Sequence, residues 1–283
     1  MPRARTKQLW LILLPVLIVL FFAVQGTALA LERERTPSGL DFFSYLPIVQ
    51  HNDPLGIHGF VTNNGSAAAN VFLELRFFNG ASWSTRATTT TDSDGMFMFL
   101  NSPNLLPNQI YYVLFPNSTD NTSRLAVWGT AVLDSYDGGD VHIGDFDIAN
   151  IVLVSPAPGA SVTLPRVFSW QKRTATPTDN YEFNLNDFSD GNPWFWTDPP
   201  LGYVGNFTLN SLPPGFGYNS QYAWFMWVYD DLGGFGVSYW AYGVTFVNSL
   251  QPNTSQESVQ IPVKDLIEFD RVDLPDLVQM KND

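Results

Sequence analysis

The amino-acid sequence predicts an all-β chain: two tandem antiparallel β-sandwich modules behind an N-terminal signal peptide. Gln221 to Tyr229 places Tyr222, Trp224, Met226 and Val228 on one face of an extended strand and Phe225, Trp227 and Tyr229 on the other. Alternation of that period recurs along residues 56–248, broken at turn spacing by Asn, Asp, Gly and Pro clusters. Cysteine is absent, which excludes disulfides, thiolate metal sites and a lipidated cysteine. Packing alone has to hold such sandwiches together.

Residues 1–30 read as an export leader. Arg3, Arg5 and Lys7 precede an apolar run from Leu9 to Val24, and Ala28-Leu-Ala30 offers small residues for cleavage between Ala30 and Leu31. The run is shorter than the roughly 20 residues that span a bilayer comfortably. Secretion is therefore expected, with an N-terminal anchor facing outside as the alternative and an uncleaved leader as the route to membrane contact. Removing Arg3, Arg5 and Lys7 from 14 basic residues leaves 11 against 27 acidic ones, a net charge near −16. Such a surface repels nucleic acid and anionic lipid heads. Residues 31–54 mix charges with Pro37, Gly39, Pro47 and Pro54, and Phe42 to Val49 is too short and proline-broken for a helix, so this stretch reads as a linker.

The first module, 55–150, opens on a strand from Gly56 to Thr62 and an Asn63-Asn-Gly65 turn. Val71, Leu73, Leu75 and Phe77 alternate along the next strand. Thr85 to Thr91 is β-branched, Asp92-Ser-Asp-Gly95 turns the chain, Met96 to Leu100 returns it, and Tyr111 to Phe115 adds another strand. The strand at Gly59 to Val61, the Thr-rich strand running into Asp94-Gly95-Met96-Phe97, and Tyr111-Tyr-Val113 together resemble the carboxypeptidase regulatory-like and Cna-B-like prealbumin-type sandwiches. The resemblance covers about 90 residues and rests on turn chemistry. It ends after Asn117, where an Asn/Ser/Thr/Asp-rich stretch and Asp134 to Asp147 replace the usual short ending. Some relatives carry a lysine–asparagine isopeptide crosslink, but no lysine occurs between Lys7 and Lys172.

The second module, 151–248, begins with Ile151 to Val154, Arg166 to Trp170, and Tyr181, Phe183 and Leu185 alternating. Trp170, Tyr181-x-Phe-x-Leu185 and Leu212-Pro-Pro-Gly215 ahead of Tyr222, similar to a tyrosine corner, make this stretch resemble a fibronectin type III-like domain. The aromatic insertion Asn192-Pro-Trp-Phe-Trp196 departs from it and reads as a loop. The tail, 249–283, has seven acidic and three basic residues, and Val259-x-Ile-x-Val263 has the alternation of an edge strand.

Catalytic material is sparse. His51, His58 and His142 are the three histidines, and no nucleophile elbow, zinc-protease motif or phosphate loop occurs. Glycoside hydrolysis needs two carboxylates across a cleft. Glu74 and Glu182, the glutamates of the modules, stand at positions expected to face solvent. Asp134, Asp137, Asp140, Asp145 and Asp147 are candidate calcium ligands by oxygen chemistry, although their spacing fits no calcium loop and Asp137-Gly-Gly-Asp140 also suits a turn. The sequons at Asn64, Asn117, Asn121, Asn206 and Asn253 matter only in a eukaryotic secretory pathway. Trp194, Trp196, Phe225, Trp227, Tyr229 and Trp240 are candidate ligand-binding rings, because flat aromatic faces stack on sugars or partners. The competing reading, and the favoured one, buries them against the first module or the tail.

The sequence thus points to a secreted, non-enzymatic modular protein for adhesion, matrix assembly or spacing, its partner an extracellular protein or polysaccharide. Carbohydrate binding is one alternative and an accessory chain of a secreted hydrolase complex another. No cofactor is called for unless the aspartates hold calcium.

Overall fold

A computed structural model describes residues 56–187, 192–249 and 258–266. The expected leader with its expected Ala30–Leu31 cleavage site, the expected 31–54 linker and most of the 249–283 tail lie outside the described residues. Among the described residues no helix is long and apolar enough to cross a membrane. The elements are β1 (Gly56–Asn63), β2 (Ser66–Ala67), β3 (Phe72–Phe78), β4 (Trp83–Thr90), β5 (Met96–Leu100), β6 (Ile110–Phe115), β7 (Val127–Gly129), β8 (Val141–His142), β9 (Phe146–Asp147), β10 (Val152–Ser155), β11 (Ala160–Val162), β12 (Arg166–Gln171), β13 (Asn180–Asp187), β14 (Trp194–Trp196), β15 (Asn206–Leu209), β16 (Gln221–Tyr229), β17 (Phe235–Val237), β18 (Trp240–Phe246), β19 (Gln260–Pro262) and α1 (Val263–Leu266). The protein is all-β, in antiparallel-rich sheets.

Turn chemistry places the first hairpins where the sequence predicts them. Asn64 and Gly65 take φ of 54° and 77°, which lets Asn63 pair with Ser66 across a two-residue turn. Asp92 Oδ1 accepts from the amides of Asp94 and Met96, at 2.9 Å each, and Gly95 closes the turn at φ 79°. A five-stranded sheet results in which β1 lies between β2 and β9 at one end and β5 and β8 at the other. A second, three-stranded sheet runs β10-β12-β15.

Both small sheets contribute to one apolar cluster with a face of the third sheet, which has eleven strands. Its centre is β16. One edge of β16 pairs along its whole length with β13, from Asn180↔Tyr229 to Asp187↔Tyr222. The other edge is shared: Gln221 to Trp224 pair with β18, and Trp227 to Tyr229 pair with β17. From β17 the ladder continues through β7, β6 and β3 to β4.

The stretches 55–150 and 151–248 are thus joined by main-chain hydrogen bonds through Val127↔Val237, Trp128↔Gly236 and Phe235↔Gly129. The joint requires close approach: a Cβ on Gly236 would lie 2.6 Å from Trp128 Cε3 and 2.9 Å from the Val127 carbonyl oxygen. Residues 57–246 contribute to a single buried cluster, so the change of pattern near Ile151 marks no break in the core. Three-residue strands such as β7, β11 and β17 are too short to show a period. Trp194 to Trp196, expected as a loop, forms β14 against β13, with Leu185↔Phe195 at its centre. Val259 to Val263 behaves as its alternation predicts, β19 adding antiparallel to β18.

The two faces of β16 enter different cores. Tyr222, Trp224, Met226 and Val228 join the cluster shared with the small sheets, while Ala223, Phe225 and Trp227 belong to a second cluster with Tyr112, Phe235, Val237 and Val263. Trp227 stacks on Phe235 with ring centroids 5.9 Å apart, and none of its surface is exposed. Trp227→Ala should lower the unfolding free energy by about 3–5 kcal/mol, the usual cost of emptying a buried tryptophan site. Chemical denaturation of the full chain checks this value.

Candidate functional site

The ring set read from the sequence forms no exposed platform. Phe225 and Trp227 have no exposed surface, because β16 is an interior strand covered on both faces. Tyr229 is part-buried and donates from its hydroxyl to Glu182 Oε2 at 3.0 Å. Burial and the Glu182 charge raise its pKa. Trp194 Nε1 donates to Asn184 Oδ1 at 2.9 Å, and Trp194 packs edge-on to Trp196, with centroids 6.2 Å apart. Trp240 makes a T-shaped contact with Tyr239, at 4.7 Å between centroids.

Glu182 corrects the solvent-facing assignment: it is 4% exposed and accepts from Asn184 Nδ2 at 2.9 Å. It shares a face with Trp227, its register partner, and that face is buried. A rule of alternation assigns the face, but only the sheet order tells whether the face is wet.

The five candidate calcium ligands are dispersed. Asp134 is exposed, and Asp137 Oδ1 caps the Gly139 amide at 3.1 Å, as a turn aspartate does. Asp140 faces His58, with Nε2–Oδ1 at 3.2 Å, and Asp145 faces His142 at 2.6 Å while also accepting the Phe60 amide at 3.0 Å. Asp147 is buried and filled: Oδ2 accepts from Thr62 Oγ1 and the Gly65 amide, each at 2.8 Å, and Oδ1 from the Ala149 amide at 2.8 Å. Among the described residues no group of three or more His, Asp or Glu side chains is arranged to hold a metal ion.

Asp145 and Asp147 instead line a cavity of about 230 Å³ beside the β7–β17 joint, with Trp128, Arg173, Asp179 and Asp230. Arg173 and Asp179 are its electrostatic centre. The guanidinium meets the carboxylate in a fork, Nε to Oδ2 and Nη2 to Oδ1, both 2.8 Å, and both side chains are out of water. Nη1 donates to the Asp147 carbonyl, tying β9 to the turn before β13. Asp179 Oδ2 also accepts from Thr176 Oγ1 at 2.7 Å and from the Tyr181 hydroxyl at 3.2 Å. Burial raises the Tyr181 pKa, keeping the hydroxyl a neutral donor. The Arg173 guanidinium sits 5.2 Å from the Trp128 ring centroid, and that ring stacks on Phe146 at 6.0 Å.

With Arg173 committed to Asp179, the remaining carboxylates give the cavity an acidic lining. Burial is the main cause of a raised pKa at Asp230, outweighing the amides of Gly234 and Leu232 that donate to its Oδ1 at 2.6 and 3.0 Å. The geometry suits a polar group that donates hydrogen bonds. Sequence reasoning missed Trp128, Arg173, Asp179 and Asp230, which lie on short strands or turns with no motif spacing. One available signal was Arg173 in a chain with few basic residues.

No protein family matches the chain, and no curated protein matches it. Among solved structures it is similar to a DUF3823 family protein from Bacteroides ovatus ATCC 8483, at 13% identity and TM-score 0.26 over 68% of this chain and 98% of that one. Fibronectin(III)-like modules of Clostridium thermocellum CbhA match at 10% identity and TM-score 0.23 over 73% and 98%. The shaft pilin SpaA of Lactobacillus rhamnosus GG matches at 11% identity and TM-score 0.24 over 70% and 100%. Likenesses at this level transfer no activity.

Two consequences of the cavity are measurable. Arg173→Met leaves the Asp179 carboxylate buried without its counter-charge and should cost about 3–5 kcal/mol, most of which Asp179→Asn on the same chain should restore. Urea unfolding of the single and double variants reads both values.

At Asp230 the raised pKa means that the folded state holds its proton more tightly than the unfolded state. Stability is then lost as pH climbs from the ordinary aspartate range through the raised value. Asp230→Asn, which removes that ionisation, should melt above the wild type at neutral pH, and the gap should close in acid. Thermal melts across that range test the sign.

Proposed function

We propose that the protein is an exported, non-enzymatic β scaffold acting outside the cell in adhesion, matrix assembly or spacing. The supporting observation is the use made of its aromatic residues: Phe225 and Trp227 are buried in the packing of the central strand. Rings that stack on a sugar have to present a face to solvent. The carbohydrate-binding alternative therefore loses its two central contact residues. The β7–β17 ladder supports spacing in particular, since a sheet shared by both halves resists bending between them. An acidic surface of amides and hydroxyls suits an extracellular protein or polysaccharide partner and disfavours nucleic acid. Export rests on the basic, apolar and small-residue regions of the leader.

The producing cell offers the test. Mass spectrometry of the culture medium should find a chain beginning at Leu31, and cells lacking the protein should attach less firmly or form a less cohesive matrix. Recovery of only full-length chain in membranes would replace secretion by anchoring, and unchanged attachment and matrix would overturn the scaffold role.

A further inference from the structure

Trp128, on the wall of the acidic cavity, is 1% exposed, and its indole Nε1–H has no acceptor among the described residues. Buried polar groups are as a rule hydrogen-bonded, so this donor calls for a partner. The ring lies along β17 with Cε3 beside Gly236 and Cζ2 beside Gly234, which puts Nε1 on the side nearer the 230–234 turn. That turn walls the cavity through Asp230, Asp231 and Leu232. It brings acceptors with it. Asp230 Oδ1 is filled by the Leu232 and Gly234 amides, but Oδ2 has no hydrogen-bond partner among the described residues, and neither has the exposed Asp231 carboxylate. Asp145, Asp147 and Asp179 are engaged already, by His142, by Thr62 with two amides, and by Arg173. The wall thus offers a donor beside carboxylate acceptors.

We propose that this cavity binds one sugar unit through neighbouring ring hydroxyls. A hydroxyl accepts one hydrogen bond while it donates another, so a pair of them answers the indole N–H and gives to Asp230 and Asp231. Ammonium and guanidinium groups only donate and would leave Nε1–H unanswered. Among the described residues no set of three or more His, Asp or Glu side chains is arranged for a metal ion. Size sets the guest as well: about 230 Å³ is below the roughly 300–1,000 Å³ of sites that take drug-sized ligands, which limits it to a single ring. A side void of about 10 Å³, lined by Trp128, Asp230 and Leu232 too, is just large enough for one water-sized group such as a hydroxyl. Entry is open, since Ala175, Thr178 and Leu232 at the wall are exposed. Recognition of this kind grips hydroxyl edges and needs no solvent-facing ring, unlike stacking on Phe225 or Trp227. As a naming of the scaffold's partner it rests on the reading above; as a binding site it is tested on the purified chain, where export and attachment play no part.

Magnetic resonance of the indole N–H groups in the full chain reads the site directly. Trp128→Phe keeps a ring and removes the donor, which identifies the Trp128 signal; through-space contacts of that N–H with Gly234 identify it if the variant does not fold. The probes are D-glucose, D-galactose, D-mannose, L-fucose and N-acetyl-D-glucosamine, with methylammonium as the cation control. At least one sugar should move the Trp128 signal downfield, saturably and in the millimolar range, while methylammonium leaves it in place. Asp231→Ala, at an exposed residue, should weaken that binding about tenfold, the worth of one hydrogen bond to a charged group. A Trp128 signal that none of the sugars moves overturns the proposal and leaves a held water as the partner of the indole. Movement confined to other indoles overturns it too, as does sugar binding unchanged in Asp231→Ala. A response to methylammonium equal to that of the sugars makes the cavity a cation site and overturns it likewise.

Discussion

Burial of β16 on both faces is the constraint from which the rest of the architecture follows. A strand with Trp224 on one side and Trp227 on the other cannot lie on a wet sheet, so two layers of cover are needed. One layer comes from the β1 and β12 sheets, whose Ile57, Val61, Phe168 and Trp170 meet Trp224 and its row in a single cluster. Sharing the free edge of β16 between β18 and β17 then does two things: it closes the second half on itself and hands the ladder to the first half. The acidic cavity lies beside that hand-over, where Trp128, Phe146, Arg173 and Asp230 come from segments far apart in the chain.

Arg173 shows how a polar group is accommodated in such a core. Its charge is answered by a forked carboxylate, its remaining amine by a carbonyl and its flat face by Trp128, so little of the desolvation cost is left unmatched. This arrangement fixes the turn before β13 relative to β9, and with it the walls of the cavity. His58 and His142 are likewise each matched to one carboxylate, Asp140 and Asp145.

Long elements with a clean period were legible in the sequence because their side-chain pattern repeats enough to exclude a helix. The alternation of Val71, Leu73 and Leu75, the Asp92 turn and the two faces of Gln221 to Tyr229 all stand where the residues place them. Pairing between distant segments was not legible. Nothing in Val127 to Gly129 or Phe235 to Val237 names the other as partner, and without that pairing Phe225 and Trp227 resemble an open surface. The aspartates show a related limit: short spacing along the chain suggests a common site, whereas Asp137 and Asp147 accept from backbone amides and Asp140 and Asp145 face separate histidines.

The β7–β17 ladder also sets an order for folding. A chain is synthesised amino end first, so Val127 to Gly129 arrives long before Phe235 to Val237. Until then the first half has an open strand edge, and Trp128 lacks the glycine strand it lies against. Such an edge is the kind of surface on which β proteins aggregate, and distant pairing of this sort is slow to form. Shielding of that edge until the second half arrives is thus a requirement built into the topology.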